Sequence, residues 1–504
     1  MKATSLFGAS WLAVLMVVTN TTATAQENDD TAARVQQLET QLGTLNSQIQ
    51  DLKAQVQSSA RAPQDAKPNQ SVNVRFGDRI VFEDPRGDWS VFLSGRVQLD
   101  YRQFNAEGAI ANTFSQRRVR LGAGAQVFKN YAIYVEGDFA SGDATGTTQQ
   151  SSRATVTYLD LGFWDAARIR LGQFKPQIGL EQTLLDLQSD FMERGLQQNI
   201  LDGNGLNYDR GIMLFGAPRP GLWYAASVTN GTGINLEERQ SNTQDVQAQG
   251  KDLTLRTVVD LARMLEVDRS ILHLGLGYKN GIAANSTASP YSAPGARTEA
   301  RGITFFNPQP FNATGRDETN IERTLWAFES LLAFGPVKLQ GEYWKAEYTG
   351  TRNLPVPVTA FSPKIKGGYL AAMWLLTGED YVENYRDSIP QKSKPKNRLA
   401  LGPDGGWGAW ELGLRYSFFD ASGFNSAAAA GTGQIGASAT GVTPVVSVST
   451  NKAKAYTAQV KWIHNVFARM MLDYVDTRFD TPVTANGVTL AREKAAMLRY
   501  QVDF

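Results

Sequence analysis

Arginine carries most of the chemistry that this sequence can offer. Arg96, Arg118, Arg120, Arg168, Arg170, Arg256 and Arg415 all fall on the polar parity of segments in which every second residue is apolar. A guanidinium stays charged and presents its donors in a fixed fork, so it can hold a carboxylate or a phosphate bidentately. Several such groups on one face would attract anions; the alternative is a structural ladder in which they pair with Glu136, Asp138 and Asp160. Other chemistry has little to work with. His273 and His464 are the only histidines, and neither has an Asp, a Glu or a second His at a metal-ligand spacing. The absence of cysteine removes a disulfide scaffold, thiolate metal ligands and a thiol nucleophile. Gly203-Asn204-Gly205 reads as turn chemistry, since no helix follows it to complete a phosphate cradle. No catalytic residue, metal site or cofactor is expected, and the chain is not read as an enzyme. Lys and Arg number 50 against 49 Asp and Glu, so no bulk charge points to nucleic acid.

Those arginines need elements that keep them all on one side. From Trp89 to Arg102 the odd positions are Trp89, Val91, Leu93, Gly95, Val97, Leu99 and Tyr101, and the even ones are polar except Phe92. Period-two alternation of this kind is the signature of strands. It returns at Val119 to Val127, Tyr131 to Phe139, Arg168 to Leu171, Leu253 to Arg256 and Trp410 to Phe418, while Arg153 to Trp164 is ambiguous. Strands of ten or more residues with aromatics near their ends, such as Trp89 and Tyr101 or Trp410 and Phe418, fit a lipid-facing band between aromatic girdles better than a soluble sandwich. Ala496, Leu498, Tyr500, Val502 and Phe504 alternate with Met497, Arg499, Gln501 and Asp503, the pattern of a closing strand with a terminal aromatic. An ordinary edge strand there would leave unpaired backbone and exposed apolar side chains. The expected fold is all-β, an antiparallel transmembrane β-barrel over residues 88–504. Roughly 415 residues at some 25 per strand and connection give about 16 to 18 strands, the size class that holds an aqueous channel.

The N-terminal part is different. Lys2, the apolar run Leu6 to Val18 and Ala23-Thr24-Ala25 read as a secretory signal peptide over residues 1–25, too short to be a comfortable membrane anchor. Val35, Leu38, Leu42, Leu45, Ile49, Leu52 and Val56 then repeat at alternating spacings of 3 and 4. This heptad seam predicts a coiled-coil helix over 26–57, with two or three strands both compatible, or a single helix packed on the barrel rim. Residues 58–87, with Pro63 and Pro68, are expected to be linker and lead-in.

A family resemblance rests on Phe114-Ser115-Gln116-Arg117-Arg118, Leu171-Gly172-Gln173-Phe174, Ile178-Gly179-Leu180-Glu181, Glu193-Arg194, Leu375-Leu376-Thr377-Gly378-Glu379 and Gly408-Ala409-Trp410-Glu411-Leu412, in that order. The sequence resembles the phosphate-selective porin O/P family. That resemblance implies a trimeric 16-strand channel in the Gram-negative cell outer membrane, contacting lipid and passing small anions such as phosphate or polyphosphate. A coiled coil in the N-terminal extension, as in some members, would reach periplasmic or cell-wall partners. By the same resemblance Arg117 and Arg118 match an arginine pair near the constriction, Arg297 and Arg301 match the end of an arginine ladder, and Thr183 to Asn207 matches an inward-folded loop holding Arg194. With Arg120, Arg168 and Arg170 these form the expected selectivity set. Two departures weaken a tight phosphate site: Ala293 and Gly295 stand where further ladder arginines are expected, and Gln182 stands where a lysine is expected. The competing expectations are a less selective general porin and a structural barrel that tethers the envelope through its coil.

Overall fold

Alternating side chains force a choice of two environments, and the strands satisfy both by closing a ring. The computed structural model describes residues 27–60, 72–77, 79–140, 153–202, 207–234, 251–283, 295–306, 321–352, 359–400, 402, 405–424 and 450–504. The expected signal peptide, most of the linker, Gly203-Asn204-Gly205 and Ala293 lie outside the described residues.

The N-terminal unit is one helix, α1 (Glu27–Ala60). Thr40, Thr44 and Ser47 turn their hydroxyls back to the carbonyls one turn earlier, at 2.7, 2.9 and 3.0 Å. Leu38, Leu42, Leu45, Ile49 and Leu52 stand 44–69% exposed along one seam.

The second unit is the barrel. Its strands are β1 (Trp89–Phe104), β2 (Thr113–Val127), β3 (Tyr131–Asp138), β4 (Arg153–Trp164), β5 (Ala167–Phe174), β6 (Asp209–Arg219), β7 (Leu222–Thr229) and β8 (Asp252–Asp260). They continue with β9 (Ser270–Ala283), β10 (Ile321–Phe334), β11 (Val337–Arg352), β12 (Lys364–Leu375), β13 (Ala409–Asp420), β14 (Lys452–Ile463), β15 (Ala468–Ala485) and β16 (Val488–Asp503). Each pairs antiparallel with its neighbour in sequence, and β16 returns to β1 through the register Asp503↔Arg96 to Ala495↔Phe104. Closure leaves no barrel edge. The lead-in carries a hairpin, Asn73–Phe76 with Ile80–Glu83, whose second strand pairs with β1.

The outward face is as the alternation predicts: Leu93, Val97, Leu99, Leu414, Leu498 and Tyr500 are exposed, while Arg96, Gln98, Asp100, Arg102, Arg415 and Arg499 are buried inside. Aromatics mark the strand ends, with Trp410 stacked on Trp462 at 5.0 Å and Tyr131 edge-on to Phe163 at 5.5 Å. Phe504 exchanges backbone hydrogen bonds with Gly95 at 2.8 and 3.0 Å. Its ring lies over Gly95, where a Cβ would come within 2.4 Å of it. The ambiguous segment Arg153 to Trp164 is β4, and its partner β3 shifts register between Glu136 and Gly137. Such a shift turns the parity over within one strand, which is why simple alternation does not describe it.

Candidate functional site

Arg117 and Arg118 are consecutive, yet both point inward. The reason is a bulge: Gln98 pairs with Arg118 but Leu99 pairs with Gln116, so Arg117 is an extra residue on β2. Before the bulge the outward residues are Phe114 and Gln116; beyond it they are Leu121 and Ala123. A one-residue insertion therefore places two guanidinium groups side by side in the lumen.

The connection between β5 and β6 folds inward to meet them. It starts at Lys175, earlier than Thr183, and holds the helical turns Leu180–Thr183, Leu196–Gln198 and Asn199–Asp202. It stays inside because the facing wall is apolar there. Leu180, Leu184 and Phe191 pack with Ile271, Leu331, Ala371 and Met373, while Ile178, Leu196 and Ile200 pack with Trp344, Ile365 and Phe419. Gly277 makes room for this approach, since a Cβ there would lie 1.8 Å from the carbonyl oxygen of Ile178.

The loop brings carboxylates to the wall arginines. Glu193 accepts two bonds from Arg117, at 2.7 and 3.0 Å, and also faces Arg102 at 2.5 Å and Arg499 at 3.2 Å. Asp186 faces Arg120 at 2.9 Å, Arg118 at 3.0 Å, Arg194 at 3.4 Å and Arg96 at 3.5 Å. Burial alone would raise the Asp186 carboxyl; Arg118, Arg120 and Lys175 outweigh it and hold the group well below the usual carboxylate range. Glu193 follows the same logic, with Arg117 and Arg102 opposing its burial. Asp190 takes Lys338 at 2.6 Å.

Of the expected residues, Arg117, Arg118, Arg194, Arg297 and Arg301 converge on one narrow cleft, which they share with Asp186, Glu193 and Glu299. Arg297 reaches it because its backbone N donates to Asn199 Oδ1 at 3.1 Å and its carbonyl accepts from Asn199 Nδ2 at 2.9 Å. Arg120 and Arg170 line a wider cavity behind the loop, and Arg120 also reaches the cleft's Asp186. Arg120 pairs with Asp138 at 2.9 Å and Glu136 at 3.3 Å, and Arg170 pairs with Asp160 at 2.7 Å, so the ladder alternative describes these two well. Arg168 joins neither cavity; it sits beside a turn with Asp165 at 2.5 Å. Gln182 donates to the Asn207 carbonyl at 2.8 Å, which makes it a loop fastener.

Sequence reasoning missed three things. The loop acids Glu181, Asp186, Asp190 and Glu193 were visible as a run of carboxylates facing an excess of inward arginines. Lys175 follows directly on Gln173-Phe174; its ammonium donates to the Leu184 carbonyl at 2.9 Å. The connection over 376–408 also turns inward, from the opposite end of the barrel. Tyr385 is 2.7 Å from His273 Nδ1, Tyr381 donates to Glu411 at 2.9 Å, and Gln188 of the first loop donates to Gln391 at 2.7 Å. Its signal was length, because the other connections at that end are short.

Solved structures similar to this chain include the outer membrane channel DcaP of Acinetobacter baumannii, at 12% identity over 84% of this chain and 99% of that one, with a TM-score of 0.47. OprB of Pseudomonas putida is similar at 11% identity over 83% and 94%, with a TM-score of 0.48. Salmonella typhi OmpF, in complex with daunomycin, is similar at 12% identity over 86% and 100%, with a TM-score of 0.46. No curated protein matches the chain. The family model described as phosphate-selective porin O and P matches residues 91–504. A closed 16-strand barrel with a lumen narrowed by inward loops is the architecture of such a channel, and the chain belongs to the phosphate-selective porin O and P family, in the outer membrane of a Gram-negative bacterium.

Proposed function

We propose that the barrel is a passive channel for small anions, phosphate among them, and that it works as a homotrimer. The observation that carries this reading is the charge balance along the path. At the cleft the five guanidinium groups of Arg117, Arg118, Arg194, Arg297 and Arg301 stand against the three carboxylates of Asp186, Glu193 and Glu299. Behind the loop eight Arg and Lys side chains stand against Glu136 and Asp503 on the cavity wall and against Asp138, Asp160 and Asp186 paired with Arg120, Arg170 and Arg96, which still leaves the cations in excess. Low-dielectric walls focus that excess into a potential that draws anions in and repels cations. Carboxylates beside Arg117, Arg118, Arg120, Arg170 and Arg194 keep the attraction weak enough for the ion to leave. Passage needs a gradient and no cofactor.

Reversal potentials in a potassium chloride gradient across a planar bilayer test this, together with block of chloride current by phosphate. Anion preference is expected, and Arg118→Ala should lower both it and the phosphate block. A cation-preferring channel would overturn the reading. The exposed α1 seam supports association of copies through a coiled coil, since five apolar side chains need a partner helix. Removing residues 26–70 should spare conductance and abolish envelope tethering; loss of conductance would favour a role for the coil in the channel itself.

A further inference from the structure

The inward loop fills only one side of the lumen. Between it, the 376–408 connection and the wall formed by β1–β5 lies a cavity of about 380 Å³, within the range of about 300–1,000 Å³ typical of small-molecule sites. Its wall is unusual for an ion path. Phe92, the one inward residue of β1 that breaks the alternation, stacks on Tyr134 of β3 with centroids 5.7 Å apart and planes at 21°. Tyr134 in turn lies 5.8 Å from Tyr158 of β4. Rings from β1 and β3 can meet because β2, between them, has Gly122 and Gly124 on its inward face. The three rings form an aromatic patch across β1, β3 and β4, with the planes of Tyr134 and Tyr158 inclined at 51°.

Guanidinium groups lie over one face of two of these rings, and Tyr134 between them carries none among the described residues. Arg79 lies 4.5 Å from the Phe92 centroid and Arg170 lies 3.7 Å from that of Tyr158. Arg96 lines the same cavity at 6% exposure; its Nε and Nη1 have no hydrogen-bond partner, and Nη1 stands 3.5 Å from the Asp186 carboxylate. Lys175 lines the cavity too. Arg96 thus has donor capacity to spare, and the charge of Lys175, whose ammonium donates to the Leu184 carbonyl, has no carboxylate partner among the described residues.

A hydrated inorganic anion would use the cations and gain nothing from the rings beneath them. Apolar ring faces gain when a flat partner covers them, and an offset stack is worth about 0.5–1.5 kcal/mol beyond area burial. We infer that this cavity is a binding site for aromatic carboxylates, with the ring on Phe92, Tyr134 and Tyr158 and the carboxylate on Arg96 and Lys175. The inference rests on the anion-channel reading and names a substrate class for it.

The test uses the full-length protein in planar bilayers, with chloride as the carrier and block as the readout. Four probes are compared: benzoate, cyclohexanecarboxylate, acetate and inorganic phosphate. The stacking range corresponds to a benzoate half-block concentration about two to twelve times lower than that of cyclohexanecarboxylate, with acetate weaker still. In Phe92→Leu the benzoate advantage should shrink toward one. Equal block by benzoate and either of the other two carboxylates in the wild-type channel would overturn the site, and so would phosphate blocking more strongly than benzoate. Because the wild-type series stands alone, failure of the variant to fold leaves the test intact. Reversal potentials report separately on the anion-channel reading, which survives if only the benzoate advantage is missing.

Discussion

Asp186→Asn isolates the electrostatic argument. Its carboxylate faces four guanidinium groups within 3.5 Å, so neutralising it raises the formal charge of the cleft by one unit without removing a cation. A unit charge about 4 Å from a passing ion is worth about 1 kcal/mol in bulk water and about 4 kcal/mol at an effective dielectric of 20. Chloride and potassium feel it with opposite signs. Even at the water limit the two ions separate by about 2 kcal/mol, roughly a thirty-fold change in their relative occupancy toward chloride. The side chain keeps an oxygen acceptor, Arg120 keeps Asp138 at 2.9 Å, and Arg118 keeps Gln98 at 2.8 Å. Gel migration before and after heating checks that the barrel still forms. Reversal potentials in a tenfold potassium chloride gradient give the answer. A shift toward potassium, or a change under about twofold, would refute the idea that permeating ions sense these arginines.

Further outcomes follow from the same geometry. Burial, with Arg194 beside it, holds the Lys175 ammonium well below the usual lysine range. The group is charged below its lowered pKa and neutral above it, so anion preference should decline as pH rises, at a lower pH than an ordinary lysine would give, and decline less in Lys175→Gln; identical pH profiles of the reversal potential would count against it. Gly277→Ala puts a methyl against the Ile178 carbonyl and should displace the loop, raising and destabilising single-channel conductance at a stability loss of about 1–3 kcal/mol; an unchanged conductance trace would reject the close approach. Leu414→Arg on the outer face, where Leu414 is 65% exposed, should cost about 2–4 kcal/mol near mid-membrane, read as a lower urea midpoint in liposomes. An unshifted midpoint would mean that this face does not meet lipid. In α1, Leu45→Asn should lower the concentration-dependent helicity of a peptide spanning residues 27–60, measured by circular dichroism; helicity independent of concentration in the parent peptide would exclude a coiled coil.

The barrel was legible in the sequence because its cause is local. Lipid outside and water inside impose a period of two on every strand, and a strand's own residues, such as Leu93 to Arg102, carry that record without reference to any other part of the chain. The N-terminal seam is local for the same reason, with its period of 3.5 written between Leu38 and Leu52. Arg117 and Arg118 could be picked out as a pair, and Arg194, Arg297 and Arg301 joined them in one cleft. Glu136, Asp138 and Asp160 could be named as partners for wall arginines such as Arg120 and Arg170, but the loop carboxylates that meet the others could not be read, because they are distant in sequence. Asp186 meets Arg96 and Glu193 meets Arg499 only after a loop folds back against an apolar patch assembled from β9, β10 and β12. The bulge that turns Arg117 inward belongs to a register between two strands and has no marker in either alone. Phe92 looked like an error in the alternation until Tyr134 came to lie beside it across the glycines of β2. Periodicity records which medium a residue faces; which residue it faces is decided by closure of the ring and by the loops that the ring encloses.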